Sequence, residues 1–213
     1  MRKGIFITFE GGEGCGKSSH IKTLAQFFEN AGRECVITRE PGGTPLAESV
    51  REILLHAKAD VAISPRAELL LFEAARAQHV DQLIRPALES GKVVLCDRFS
   101  DSSSAYQGAA RNLGDDSVEM LNAFAVDGVV PDLTIVLDIP AKDGLARANA
   151  RDNDSPDRMG AEKLAFYEAV RGAFLKMAAL NPERFAVVDS SGDKEETFAK
   201  ILETVKAKFN VQS

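Results

Sequence analysis

The stretch FEGGEGCGKSSH, Phe9–His20, decides the fold. Its spacing, Gly11-x-x-x-x-Gly16-Lys17-Ser18, is the GxxxxGK[ST] pattern of a polyphosphate cradle. Glycines let the backbone turn so that several N–H groups point at one anion. A helix beginning at Lys17 adds the positive end of its dipole. The pattern has the context it needs, because the apolar run Ile5–Phe9 precedes it and the helical pattern Lys17–Asn30 follows. The anion-binding stretch is Gly11, Gly12, Glu13, Gly14 and Cys15, continuing through Gly16, Lys17, Ser18 and Ser19. Lys17 is the residue that reaches the outer phosphates, and the Ser18 hydroxyl is placed for Mg²⁺. Cys15 reads as a filler whose backbone matters. Two features are odd for an anion cradle. Glu13 carries a carboxylate at its tip, and it holds no arginine.

Working outward, short apolar runs recur at Cys35–Thr38, Val93–Cys96, Leu133–Leu137 and Phe185–Val188. Each is nearly continuous in apolar character, as strands covered on both faces are. Helical patterns separate them: Leu46–His56 after Thr44-Pro45, Pro65–Ser90 after Ser64 with a break marked by Pro86, then Asp116–Val126, Ala141–Ala150, Ala161–Leu180 and Glu195–Phe209. Strand–helix alternation predicts a parallel sheet with right-handed crossovers, hence an α/β protein. The segment RANARDNDSPDRMG, Arg147–Gly160, is polar, breaks helical periodicity and carries three arginines. It reads as a surface flap between two helices.

Bulk properties narrow the function. With 213 residues, 45% hydrophobic and 27% charged, the chain can build a sizeable core. A net charge of −6 argues against a nucleic-acid partner, which would require a basic stripe. The three cysteines, Cys15, Cys35 and Cys96, form no metal-binding spacing. The first apolar run is too short for a signal peptide, and no run approaches a membrane span, so a cytoplasmic location is expected.

In an open parallel sheet, ligands lie beyond the carboxyl ends of the strands. Three such ends carry polar groups: the glycine loop, REPGGT at Arg39–Thr44, and DRFSDSSSAYQG at Asp97–Gly108. Asp97 is placed to hold Mg²⁺ directly or through water, and Arg98 offers a planar fork for a second phosphate. In LLLFEAARAQH, Phe72 and Arg76 are four residues apart, on one helix face. A ring beside a fork of donors can stack on a base and bond its edge, although aromatics at this spacing are more often core. His20, His56 and His79 have no partner that the sequence identifies. No Asn-Lys-x-Asp is present to read guanine. A small kinase remains, acting on a monophosphate or a nucleoside hydroxyl, with a non-catalytic nucleotide-binding module as the other class. A monophosphate oxygen is already anionic at pH 7 and requires no general base.

Taken together, FEGGEGCGKSS, TREPGGTPLAE, LLLFEAARAQH, DRFSDSSSAYQG and the arginine-bearing flap resemble, in order and spacing, the bacterial thymidylate kinase family. The resemblance covers nearly the whole chain. It implies a five-stranded parallel sheet flanked by helices, of the P-loop nucleoside monophosphate kinase type. It also implies one domain over residues 1–213 with a lid at about 147–160, and a homodimer. The implied reaction passes the γ-phosphoryl group of ATP to dTMP, with Mg²⁺ and with neither nucleic acid nor membrane as partner. Glu13 would contact the acceptor's 3′-hydroxyl, Phe72 would stack on thymine and Arg76 would bond its edge. Arg98 would hold the acceptor phosphate. Ser103, Tyr106 and Gln107 would line sugar and base, Tyr106 crowding a 2′-hydroxyl. Some members of the family place a catalytic arginine in the loop, where this chain has Gly14. Here Arg147, Arg151 and Arg158 would supply it from the lid, beside Lys17.

Overall fold

The computed structural model describes residues 4–57, 62–152, 158, 160 and 162–211, without the side chains of Arg151 and Asp152. Strands β1 (Ile5–Glu10), β2 (Cys35–Arg39), β3 (Val93–Asp97), β4 (Leu133–Asp138) and β5 (Phe185–Asp189) pair in the order β2-β3-β1-β4-β5. All pairings are parallel, with Phe9 opposite Asp97 and Glu10 opposite Val136. Every strand runs one residue past its apolar stretch. The added residue is polar in each case, because the ladder bonds through the backbone whatever the side chain.

The strands bury both faces, and the pleat divides the core accordingly. Ile5, Ile7 and Phe9 face α1 (Lys17–Asn30) and α9 (Lys194–Phe209). Phe6, Val94 and Cys96 face Phe99 and the helical run that begins at α3 (Pro65–His79). Thr44 caps α2 (Pro45–His56) by accepting from Ala47 N, and Ser64 caps α3 by accepting from Ala67 N; each helix has proline in its first turn. The long helical run expected over Pro65–Ser90 continues through a π-helical turn, Val80–Ile84, into the short α4 (Arg85–Glu89). Pro86 has no N–H for an interior helical bond, and the Arg85 N–H bonds back to Val80 O across the wider turn.

The stretch after β3, read from sequence only as a polar strand end, is helical. It forms α5 (Ser100–Ser103) and a second π-helical turn, Ser104–Ala110. Next come α6 (Asp115–Val126), α7 (Ala141–Asp152) and α8 (Leu164–Leu180). Because β3 lies between β2 and β1, the connections leaving β1 and β3 diverge. A crevice opens between their carboxyl ends, where this kind of sheet receives ligands. Among the described residues no helix is long and apolar enough to cross a membrane.

Candidate active site

The glycine loop wraps its own lysine. Gly11, Gly14 and Gly16 have φ of 133°, 66° and 90°, conformations that L side chains rarely adopt. Lys17 is buried, and its Nζ donates to Gly12 O at 2.9 Å and Gly11 O at 3.3 Å. Gly14 leaves no room for a side chain, since a Cβ there would collide with the Gly144 carbonyl of α7. An arginine at this position would therefore be excluded by packing as well as by backbone geometry. Cys15 is buried against the sheet, its thiol donating to Gly12 O. Ser18 and Ser19 open α1 and are exposed. The Ser18 hydroxyl donates to Asp97 Oδ2 at 2.7 Å, so the two oxygen ligands read from sequence lie together. Mg²⁺ keeps several waters and binds through one or two protein oxygens plus substrate phosphates, and this hard-oxygen pair fits it.

Arg98 occupies a left-handed backbone conformation, φ 68°, at the end of β3. Its side chain spans the crevice. Nη1 donates to Gly11 O at 3.0 Å, Nη2 donates to Glu13 Oε1 at 2.6 Å, and the guanidinium lies 5.0 Å from the Tyr106 ring centroid. The loop carboxylate thus faces a cation of the neighbouring strand. Tyr106 Oη also donates to Glu13 Oε1, at 3.4 Å. Burial alone would lower the Arg98 pKa, but Tyr106, Glu13 and Asp97 outweigh it and hold the group more firmly protonated.

Arg76 is 1% exposed. Nε donates to Glu40 Oε2 at 2.8 Å, and Nη1 donates to Glu73 Oε1 at 2.6 Å, Asn122 Oδ1 at 2.9 Å and Ser103 Oγ at 3.1 Å. Nη2 donates to Phe99 O at 3.2 Å, leaving one Nη2 hydrogen outside the bonds formed among the described residues. Phe72, one turn earlier, is half-buried. His79, for which the sequence offered no partner, lies between Glu40 Oε1 (3.0 Å) and Thr38 Oγ1 (2.7 Å).

These groups line one cleft of about 740 Å³. Glu13 through Ser19, Arg98, Phe72, Arg76, Ser103, Tyr106 and Gln107 all border it, as does Arg147. Gly11 and Gly12 lie beneath, their carbonyls turned to Lys17. The arginines of the flap divide. Arg147 donates to Ser190 O at 3.0 Å and Ser191 O at 2.7 Å, after β5. Arg158 donates to Leu54 O and pairs with Glu68 Oε2, both at 2.6 Å. The Arg151 side chain and residues 153–157 lie outside the described residues.

Sequence reasoning missed Arg51, which borders the cleft and donates to Pro41 O. It also missed the buried acids Glu40, Glu68 and Glu73, and read Glu10 as a strand end that either bonds structurally or touches metal through water, with the structural role preferred. Glu10 is fully buried. Phe99 N donates to its Oε1 at 2.8 Å and Ser102 Oγ to its Oε2 at 2.6 Å. Desolvation, with help from Asp101, pushes its carboxyl up to about 8.

A glycine nest with its lysine, a hydroxyl–carboxylate pair beside it and a second basic pocket in the same cleft define a P-loop phosphotransferase with two anionic substrates. The chain matches the thymidylate kinase family profile over residues 9–201. It is 50% identical over 206 residues to thymidylate kinase of Geobacter sulfurreducens, covering 95% of this chain and 96% of that protein. It is 48% identical over 210 residues to that of Citrifermentans bemidjiense, covering 97% and 93%. A crystal structure of thymidylate kinase from Ehrlichia chaffeensis superposes with a TM-score of 0.78 at 32% identity, covering 95% of this chain and 99% of that one. The chain belongs to the thymidylate kinase family.

Proposed function

We propose that this chain transfers the γ-phosphoryl group of ATP to dTMP, giving dTDP and ADP, with the two nucleotides seated end to end. One observation carries the assignment of residues: one cleft runs from the Lys17 nest to Phe72 and Arg76, and Arg98 borders it between the loop, at Gly11 O, and the Tyr106 ring. ATP would place its phosphates in the Gly11–Ser19 cradle, with Lys17 on the outer phosphates. Ser18 and Asp97 would hold Mg²⁺, which when bound offsets phosphate charge. Phe72 would stack on thymine, and the spare Nη2 hydrogen of Arg76 would bond its O4. Ser103, Tyr106 and Gln107 would line sugar and base, with Tyr106 against the 2′ position and Glu13 on the 3′-hydroxyl. Arg98 would orient the acceptor phosphate.

The chemistry then needs no general base, because the acceptor oxygen is already anionic. Alignment and charge neutralisation supply the rate. Residues 1–213 act as one domain whose lid, about 147–160, closes over the phosphates. Arg147 and Arg151 on α7 are the candidates to neutralise the transferred group, and Arg158 docks the lid. Leu70, Met120 and Phe124 are exposed on the adjoining helices α3 and α6, a face suited to pairing two copies. A homodimer in the cytoplasm is the resulting picture.

Coupled ADP release tests the assignment, with dTMP, thymidine or no acceptor. Turnover should require dTMP. Thymidine outpacing dTMP would mean a nucleoside kinase, and acceptor-independent release would mean no acceptor site.

A further inference from the structure

Glu68, on α3, is 1% exposed, and nothing above gives it a part in the reaction. Its carboxylate gathers donors from three residues, one on the π-helical turn after α5, one at the cap of that turn and one in the flap. Gln107 Nε2 approaches at 2.9 Å, Arg111 Nε and Nη2 at 3.3 and 3.4 Å, and Arg158 Nη2 at 2.6 Å. Gln107 is 2% exposed and borders the cleft.

An ionised carboxylate only accepts hydrogen bonds, whereas an amide has one accepting and one donating end. The Gln107 amide must therefore turn its NH₂ to Glu68 and its carbonyl oxygen away. Among the described residues that oxygen takes part in no hydrogen bond. It is not sealed in the interior either, since among the described residues Glu73 Oε2 is the buried side-chain atom left without a partner. It is therefore accessible, on a residue that borders the cleft. Burial would raise the Glu68 pKa, but the bonds from Gln107 and Arg158 and the charges of Arg111 and Arg158 outweigh it, so the group stays an acceptor.

We propose that Glu68 is a positioning residue that locks the Gln107 carbonyl oxygen toward the acceptor base, so that the cleft selects a pyrimidine bearing an N3–H. The inference rests on the seating of dTMP proposed above. Thymine and uracil present N3–H as a donor to that oxygen. Cytosine presents a bare N3, and two acceptors then face each other with no proton between them. A neutral amide at position 68 could donate to Gln107 instead. The Gln107 amide would then be free to turn over and offer NH₂ to the base. Arg76 still opposes the cytosine amino group, so selectivity would fall without inverting.

The test compares kcat/KM for dTMP, dUMP and dCMP in wild type, Glu68→Gln and Glu68→Asp. Glu68→Gln should lower the dTMP/dCMP preference by about 10- to 100-fold, the discrimination that a mismatched base edge carries. It should leave dTMP/dUMP unchanged. Glu68→Asp, still acceptor-only, should retain the preference even if slower. A dTMP/dCMP ratio unmoved in Glu68→Gln, or one falling in step with dTMP/dUMP, overturns the proposal. Should Glu68→Gln fail to fold, Gln107→Met carries the test, because it removes the amide, leaves Glu68 its arginines and must lose the same preference. A wild type inactive on dTMP would refute the functional assignment and this inference with it, whereas the Glu68 outcomes above overturn this inference alone, against a wild type active on dTMP.

Discussion

Glu10→Gln should make the protein more stable, and increasingly so as pH rises. The Glu10 carboxyl titrates near pH 8 in the folded chain, against an ordinary 4.5. Between those values the folded protein holds a proton that the unfolded chain has released. Its stability therefore falls with rising pH, by about 1.4 kcal/mol per pH unit from this one group. At pH 7 the accumulated cost is roughly 3 kcal/mol, reduced by whatever the surroundings relax. Glutamine has the shape of the neutral carboxyl. Its oxygen can still accept from Phe99 N, and its NH₂ can donate to Ser102 Oγ, so neither polar contact is orphaned. Urea unfolding at pH 5, 6, 7 and 8, at fixed ionic strength and without nucleotide or divalent ions, reads the effect. The two proteins should be close at pH 5 and diverge by about 1 kcal/mol or more per unit above it. Curves that stay parallel from pH 5 to 8 would refute the reasoning, since Glu10 would then ionise as readily folded as unfolded.

Two further substitutions probe the cleft from its two ends. Arg76→Ala should raise KM for dTMP far more than for ATP. It should also cost roughly 3–5 kcal/mol of stability, since Glu40 and Glu73 lose the cation between them; equal losses toward both nucleotides in initial-rate kinetics would count against a base-reading role. Gly144→Ala puts a methyl into the Glu13 carbonyl and forces α7 off the loop. Turnover should drop by about 100-fold, the usual consequence of displacing reacting groups by around 1 Å, and a near-wild-type rate would show that α7 and the loop can separate freely.

The fold was legible because its signals are local. Each apolar run of four or five residues became a strand, and the proline and hydroxyl starts of α2 and α3 were visible as adjacent letters. What escaped has physical reasons. The apolar criterion stops at Glu10, Arg39, Asp97, Asp138 and Asp189, while the backbone ladder does not. Ser100–Ala110 is too rich in serine to look helical. Its helicity comes from Asn122, which bonds Ser100 O and Ser104 Oγ, and from Arg76, which bonds Ser103 and the carbonyl of Phe99 just before it. The phosphate cradle was legible as a contiguous pattern. The Glu68–Gln107–Arg158 cluster was not, because α3, the π-helical turn and the flap meet only in three dimensions. A buried acid and an exposed one are the same letter.

Glu13 in an anion cradle makes sense once the strained residue beside it is considered. Arg98 sits at φ 68°, a conformation that costs about 1–3 kcal/mol and persists only where its surroundings dictate it. Those surroundings are visible: its N–H donates to Phe9 O, and its guanidinium is held by Gly11 O, Glu13 and the face of Tyr106. The carboxylate thus holds the fork extended across the mouth of the loop. On the proposed assignment, an arriving acceptor supplies both replacements at once. Its phosphate takes the Arg98 donors, and its 3′-hydroxyl takes the released Glu13 oxygen. An acceptor lacking the phosphate would break the 2.6 Å ion pair and replace only its Glu13 side, leaving the Arg98 donors without an anion. On that assignment the negative charge at the tip of the loop would disfavour bare nucleosides, and it would serve the acceptor's sugar and not the ATP phosphates.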